Sequence, residues 1–170
     1  MPLSMYRACI PVFVRGLRGL DGLLDKAQAH EAAKGLAPGA LIAARLAPDM
    51  QTLGNQVQRA SDTCKGSAER LTGFKAPRMP DTETSYAELK ARIAATVTFL
   101  QTITPDHLKG TEEQGIPLKL GQTGTTLSGA DYLLQFALPN FFFHVTTAHD
   151  ILRNQGVKIG KLDYLGVYAG

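Results

Sequence analysis

Cysteine is scarce: Cys9 and Cys64 are the only two in 170 residues. Both fall on or beside apolar stripes at helical spacing, which predicts buried free thiols rather than a disulfide framework. No stretch is both long and continuously apolar, which excludes a membrane-spanning helix. The N-terminal MPLSMYRACI lacks a charged segment followed by a long apolar run, so a cytoplasmic protein is expected. Internal repeats and low-complexity tracts are missing too. Charge is neither dense nor one-sided: 19% of residues are charged and the formal net charge is +3. The basic residues Arg15, Arg18, Lys26, Arg45, Arg59, Lys65, Arg70, Lys90 and Arg92 are spread over several segments. No basic stripe with interleaved aromatics forms, which argues against nucleic acid as a partner. What remains is a globular balance, 44% hydrophobic, in a chain of the length of one domain, residues 1–170.

Apolar periodicity fills in the architecture. Tyr6, Ile10, Phe13, Leu17, Leu20, Leu24 and Ala27 recur every three or four residues, the stripe of a helix. Pro11 sits inside that pattern, so the regular helix either begins near it or is kinked there. Gly16, Gly19 and Gly22 follow no strand and fit close helix packing better than a phosphate loop. Residues 36–50 read as a short helix bounded by Pro38 and Pro48, with Asp49 capping a second long helix. Along that helix Met50, Leu53, Val57, Ala60, Cys64, Ala68 and Leu71 form a bundle seam. Gly73 and the prolines of FKAPRMPDTE mark a linker.

Ser85 and Glu88 make a capping box for a third helix with the stripe Tyr86, Leu89, Ile93, Val97 and Leu100. Then the period drops to two. Ile116, Leu118 and Leu120 alternate with polar residues, and Gly121 and Gly124 bracket a turn, predicting a β-hairpin over about 116–127. Ser128 and Asp131 open a fourth helix, which Pro139 kinks or restarts and Gly156 ends. The apolar tail from Val157 should dock on the bundle. The fold class is all-α: a four-helix bundle with a short hairpin before the last helix.

Chemistry concentrates in PNFFFHVTTAHDILR, residues 139–153. His149 lies five residues after His144, roughly 140° around the helix axis, so the two imidazoles diverge. Ligands on one helix converge at spacings of three or four, and Ala148 occupies that position. His144 shares the stripe of Leu133, Ala137, Phe141, Ala148 and Ile151 and should point inward. His149 should face a border or solvent. Gln56 flanks the seam of the second helix and meets His144 if the two helices are neighbours. A surface glutamine is the alternative. Of Phe141, Phe142 and Phe143, one or two should fill the core and at least one is left for another element or a partner subunit.

Several segments carry a resemblance: RLAPDM (45–50), QVQRASDTCKGSAERL (56–71), TSYAELKARI (84–93) and YLLQFALPNFFFHVTTAHDILRNQGVKIGKLDYLG (132–166). Together they resemble a bacterial domain-of-unknown-function family placed among the DinB/YfiT-like four-helix bundles. The likeness covers nearly the whole chain and implies a bundle that is usually dimeric. Metal-binding members of that superfamily use one histidine of the second helix and an H-x-x-x-H pair on the last. Here His144 matches the first member of the pair, Ala148 stands at the second, and the second helix has no histidine.

Three functional readings follow. The first is a homodimeric bundle with no cofactor that holds a small molecule in a polar pocket at His144, with Gln56 and Asn140 nearby. The second is a metal-dependent hydrolase or thiol transferase of the DinB/YfiT type. Its zinc or nickel would be held by His144 with ligands recruited from Asp49, Asp62 or His149. The third is a dimerising interaction module built on the phenylalanine run and the apolar tail.

Overall fold

Each apolar stripe finds its partner in a bundle of four long helices. The structure, a computed structural model, describes residues 3–120 and 123–166. Helix α1 spans Met5–Lys34, α2 Leu53–Thr72 and α3 Tyr86–Gln101, followed by a single turn, α4, Pro105–Leu108. Strands β1 (Gly115–Leu120) and β2 (Thr123–Ser128) then pair antiparallel, Ile116 opposite Leu127 and Leu118 opposite Thr125. A short turn α5 (Gly129–Asp131) leads through a π-helix (Tyr132–Ala137) into α6 (Leu138–Asn154), and α7 (Lys161–Leu165) closes the described chain. In section α1 and α2 occupy one diagonal, with α3 and α6 packed against both. The expected all-α bundle with a hairpin before its last long helix is what the chain forms.

The core is the sum of the stripes. Phe13, Leu17, Leu20 and Leu24 of α1, Leu53, Val57, Ala60 and Cys64 of α2, Leu89 of α3, and Phe141, Ala148 and Ile151 of α6 are all buried. Burying large aliphatic and aromatic side chains stabilises by roughly 1.5–3 kcal/mol each, the term that drives the helices together. Cys9 and Cys64 are buried free thiols, as their positions on the stripes imply. Burial pushes the Cys9 thiol up to about 12.

Of the three glycines of α1, Gly16 makes the closest approach. A Cβ there would lie 2.5 Å from the Phe141 ring, which stacks edge-on against Phe13 with centroids 5.1 Å apart. Gly19 faces the Tyr164 carbonyl of α7, while Gly22 meets nothing within 4 Å and is not a packing glycine.

α1 runs continuously through Pro11, beginning at a Ser4 cap whose hydroxyl accepts from the Arg7 amide. Pro11 is exposed, so its missing N–H removes one bond without burying an unpaired carbonyl. The helix expected over 36–50 is reduced to one 3-10 turn, Ala40–Ala43. The cause is Glu31, buried near the end of α1. Its carboxylate accepts from the Gly39 amide at 2.8 Å, the Leu41 amide at 2.7 Å and the Tyr86 hydroxyl at 2.7 Å. Amides claimed by that carboxylate cannot propagate a helix.

The N-cap of α2 is likewise not Asp49. Thr52 caps it through a box with Asn55, and Asp49 lies exposed on the preceding turn. The box at Ser85–Glu88 forms where the sequence puts it. Ser128 caps the Asp131 amide and bonds the Asp131 carboxylate through its hydroxyl, an N-cap without the reciprocal backbone bond of a full box. Ile116 and Leu118 are buried on one face of the hairpin. Gly121, at its turn, and residues 167–170 of the tail lie outside the described residues.

Pro139 acts one turn upstream of itself. It cannot donate to the carbonyl of Gln135 and would crowd it. The preceding turn widens instead, and the Leu138 amide bonds the Leu133 carbonyl five residues back. The tail docks as expected: Lys26 of α1 ion-pairs Asp163 of α7, and Arg153 donates to the Ile159 carbonyl at 2.8 Å.

Candidate functional site

Helices α2 and α6 run antiparallel and carry a polar seam beside their apolar one. From one end to the other, Gln56 meets His144, Thr63 meets Asn140, and Ser67 meets Tyr132. Gln56 is 2% exposed, so it belongs to the interior rather than the surface. Its side-chain Nε2 donates to the Gln51 carbonyl at 3.3 Å, which turns the amide oxygen toward His144. That oxygen lies 2.8 Å from His144 Nδ1.

An amide oxygen only accepts, so Nδ1 carries the proton and Nε2 keeps a free lone pair. Burial, and after it the positive charge of Arg59, hold the His144 imidazole below its ordinary value. At neutral pH the ring is therefore neutral, with one tautomer fixed and an acceptor facing outward from a half-buried position. Phe143, 56% exposed, stands edge-on to the ring with centroids 5.3 Å apart and forms an apolar rim.

The remaining candidates part company with His144. Asn140 sits one turn earlier and donates to Thr63 Oγ1 at 2.7 Å, so it secures the helix pair rather than lining the imidazole. His149 diverges as helical phase requires, but it is not solvated. Its side chain is 16% exposed, Nδ1 lies 3.0 Å from Asp150, and the ring sits edge-on to Tyr164 of the docked tail. The tail covers a face that the sequence pattern leaves open, and Nε2 of His149 ends buried without a partner among the described residues.

Asp62 is engaged by Lys65, Arg59 and Arg92. Its neighbour Ser61 shares a hydrogen bond with Thr96 at 2.7 Å. Asp62 serves an ion-pair network instead of a catalytic constellation. Among the described residues no group of three His, Cys, Asp or Glu side chains could hold a metal ion.

The centre of that network escaped sequence reading. Arg92 of α3 has a side chain 1% exposed, and it ion-pairs Asp62 at 2.7 Å, Asp81 at 3.0 Å and Glu83 at 2.8 Å. It also donates to the Pro80 carbonyl at 3.2 Å. Asp81 and Glu83 come from the linker 74–85, which is thereby strapped across α2 and α3. One signal existed: Arg92 stands between Leu89 and Thr96 on the buried face of α3, where an ordinary surface cation would not be placed.

Comparison with known proteins places the fold. The model of a family described as a domain of unknown function, DUF1993, matches residues 5–165. The chain is similar to the crystal structure of a DinB family member protein from Shewanella denitrificans. The two are 37% identical, the match covers 96% of this chain and 93% of that one, and the TM-score is 0.89. No curated protein matches the sequence.

Proposed function

We propose that this chain, which belongs to the DUF1993 family within the DinB-like superfamily, is a binding bundle whose site is the outward lone pair of His144. The ligand class follows from the chemistry around Nε2. An acceptor nitrogen takes a hydroxyl or amide N–H, the nearby charge of Arg59 disfavours cations, and Phe143 offers apolar contact. A small neutral or anionic molecule carrying a hydrogen-bond donor fits those terms. The observation that carries the reading is the Gln56 clamp, which fixes the tautomer from inside the bundle.

A three-histidine metal centre fits these residues poorly. Ala148 is fully buried where a second imidazole would be needed, and the Gln56 amide is already committed to His144 and Gln51. One imidazole without further ligands is a weak zinc or nickel site.

Long-range proton–nitrogen NMR of the histidine rings tests the proposal. His144 should show the proton on Nδ1, and titration with glycolate and acetamide should move its Nε2 resonance saturably. Replacing Gln56 by Leu should mix the tautomers and weaken binding. A proton on Nε2, or no response at His144 to either probe, would overturn the reading. Stoichiometric zinc or nickel in protein purified without an affinity tag, lost in His144→Ala, would replace it with a metal-dependent hydrolase or thiol transferase.

Self-association is the second reading, favoured by Phe143 and by Leu134, 57% exposed, on the last helical segment. Light scattering during size exclusion should show a dimer that Phe143→Ser weakens. A wild-type monomer at high concentration would exclude it.

A further inference from the structure

A cavity of the described residues lies away from His144. About 840 Å³ in volume, it lies between the outer face of α2 (Asp62, Lys65, Gly66, Glu69, Arg70) and the strap Ala76–Asp81. That volume is typical of small-molecule sites. Its walls are built rather than loose. The strap is held at one end by Asp81 and Glu83 on Arg92, and Met79 sets its sulfur 3.8 Å from Thr96 Oγ1. Leading into these anchors, residues 76–78 of the strap line the cavity opposite α2. Gly66 keeps the floor open, since a Cβ there would come within 3.1 Å of the Arg70 guanidinium.

Charge accounting gives the cleft its preference. Asp62 is already neutralised by Lys65 and Arg92, and Asp81 by Arg59 and Arg92. Two guanidiniums are left with no carboxylate. Arg70 forms no ion pair among the described residues; it donates to the Tyr132 hydroxyl at 3.4 Å and lies 5.9 Å from that ring's centroid. Arg78, on the opposite wall, is exposed and forms no ion pair among the described residues. Among the described residues Glu69 is in no ion pair. With Arg59 and Arg92 counted as partners of Asp62, Asp81 and Glu83, five cations (Arg59, Lys65, Arg70, Arg78, Arg92) stand against four carboxylates (Asp62, Glu69, Asp81, Glu83), an excess of one positive charge. A guanidinium presents a planar fork of donors that matches a carboxylate or phosphate in two parallel bonds.

We propose that this cleft is a second binding site, taking a small molecule with a carboxylate or phosphate group held between Arg70 and Arg78. Pro77, Met79 and Ala76 give its apolar part a wall. A bound anion would tie the strap to α2 across the cavity.

Calorimetric titration of the full chain at constant low ionic strength, with succinate and with inorganic phosphate as separate probes, tests this. Saturable binding of either probe is expected, and the stronger of the two identifies the ligand's anionic group. Arg78→Gln should weaken it about tenfold or more, and since Arg78 is exposed and forms no ion pair among the described residues, the variant should melt as wild type, which a thermal scan checks. Arg70→Gln should act alike. Lys75→Gln, a strap cation outside the cleft, and His144→Ala should bind as wild type. Binding that stays unsaturated for both probes overturns the proposal. So does an Arg78→Gln variant indistinguishable from wild type, or a Lys75→Gln variant as impaired as Arg78→Gln, which would mean diffuse attraction only.

Discussion

Replacing Arg92 by Met tests whether the linker is a wall or a loose segment. Met fills much of the same space but donates no hydrogen bond. Asp62 would keep Lys65 and Arg59, and Asp81 would keep Arg59. Those two carboxylates are 29% and 38% exposed, so water screens them and each loses only about 0–1 kcal/mol. Glu83 is different. Its side chain is 11% exposed and would retain the Gln58 amide, at 2.9 Å, and its own backbone N–H, neither of them charged. Breaking one side of a buried pair commonly costs roughly 3–5 kcal/mol. Against that, Arg92 Nε is itself buried without a partner among the described residues, and its removal relieves part of the desolvation. The net loss should be about 3 kcal/mol, a large share of the roughly 5–15 kcal/mol of a typical domain.

The assay is urea unfolding at neutral pH, with a thermal melt as a second reading. The melt should fall by roughly 6–12 °C. Adding Glu83→Gln to Arg92→Met should recover part of the loss, since the stranded charge is then gone. There is also a pH signature. Burial alone would raise Glu83, but the bonds from Arg92 and Gln58 outweigh it and hold the carboxyl below its usual value. A carboxyl lowered in the fold contributes stability above its unfolded value of about 4.3 and loses it as pH falls through the folded one. The gap between wild type and Arg92→Met should therefore close in acid. A loss under about 1 kcal/mol at neutral pH, or a gap independent of pH, would refute the argument that this buried network holds the strap.

Two further predictions concern the core and the site. Gly16→Ala should destabilise by about 1–3 kcal/mol, because the new methyl lies 2.5 Å from the Phe141 ring, and Phe141→Leu in the same chain should return part of it, as read by thermal unfolding. By NMR titration, His144 should lose its proton at a lower pH than an ordinary histidine, and Arg59→Gln should move it partway back. A histidine lowered in the fold contributes stability above its unfolded value of about 6.5, lost as pH falls through the folded one, and a normal titration at His144 would refute the burial argument.

The amino-acid sequence by itself determined the four helical stripes, the Ser85–Glu88 capping box and the Ser128 N-cap, the hairpin's alternation and the divergence of His144 from His149. These are local properties: periods of 3.6 and 2, and side chains that cap within three residues of their own position. Tertiary structure decided everything that depends on a side chain from a distant element. Glu31 takes amides from Gly39 and Leu41 and dissolves a helix that local pattern favours. The tail brings Tyr164 over His149 and removes it from water. Gln56 and His144 are 88 positions apart, and only the antiparallel packing of α2 on α6 joins them and chooses the tautomer. Arg92 reads as one more dispersed cation until the strap delivers Asp81 and Glu83 to it. Periodicity reports which face of a helix is buried, but an ion pair or a hydrogen bond between elements needs both partners placed within about 3 Å, and only the completed fold sets that distance.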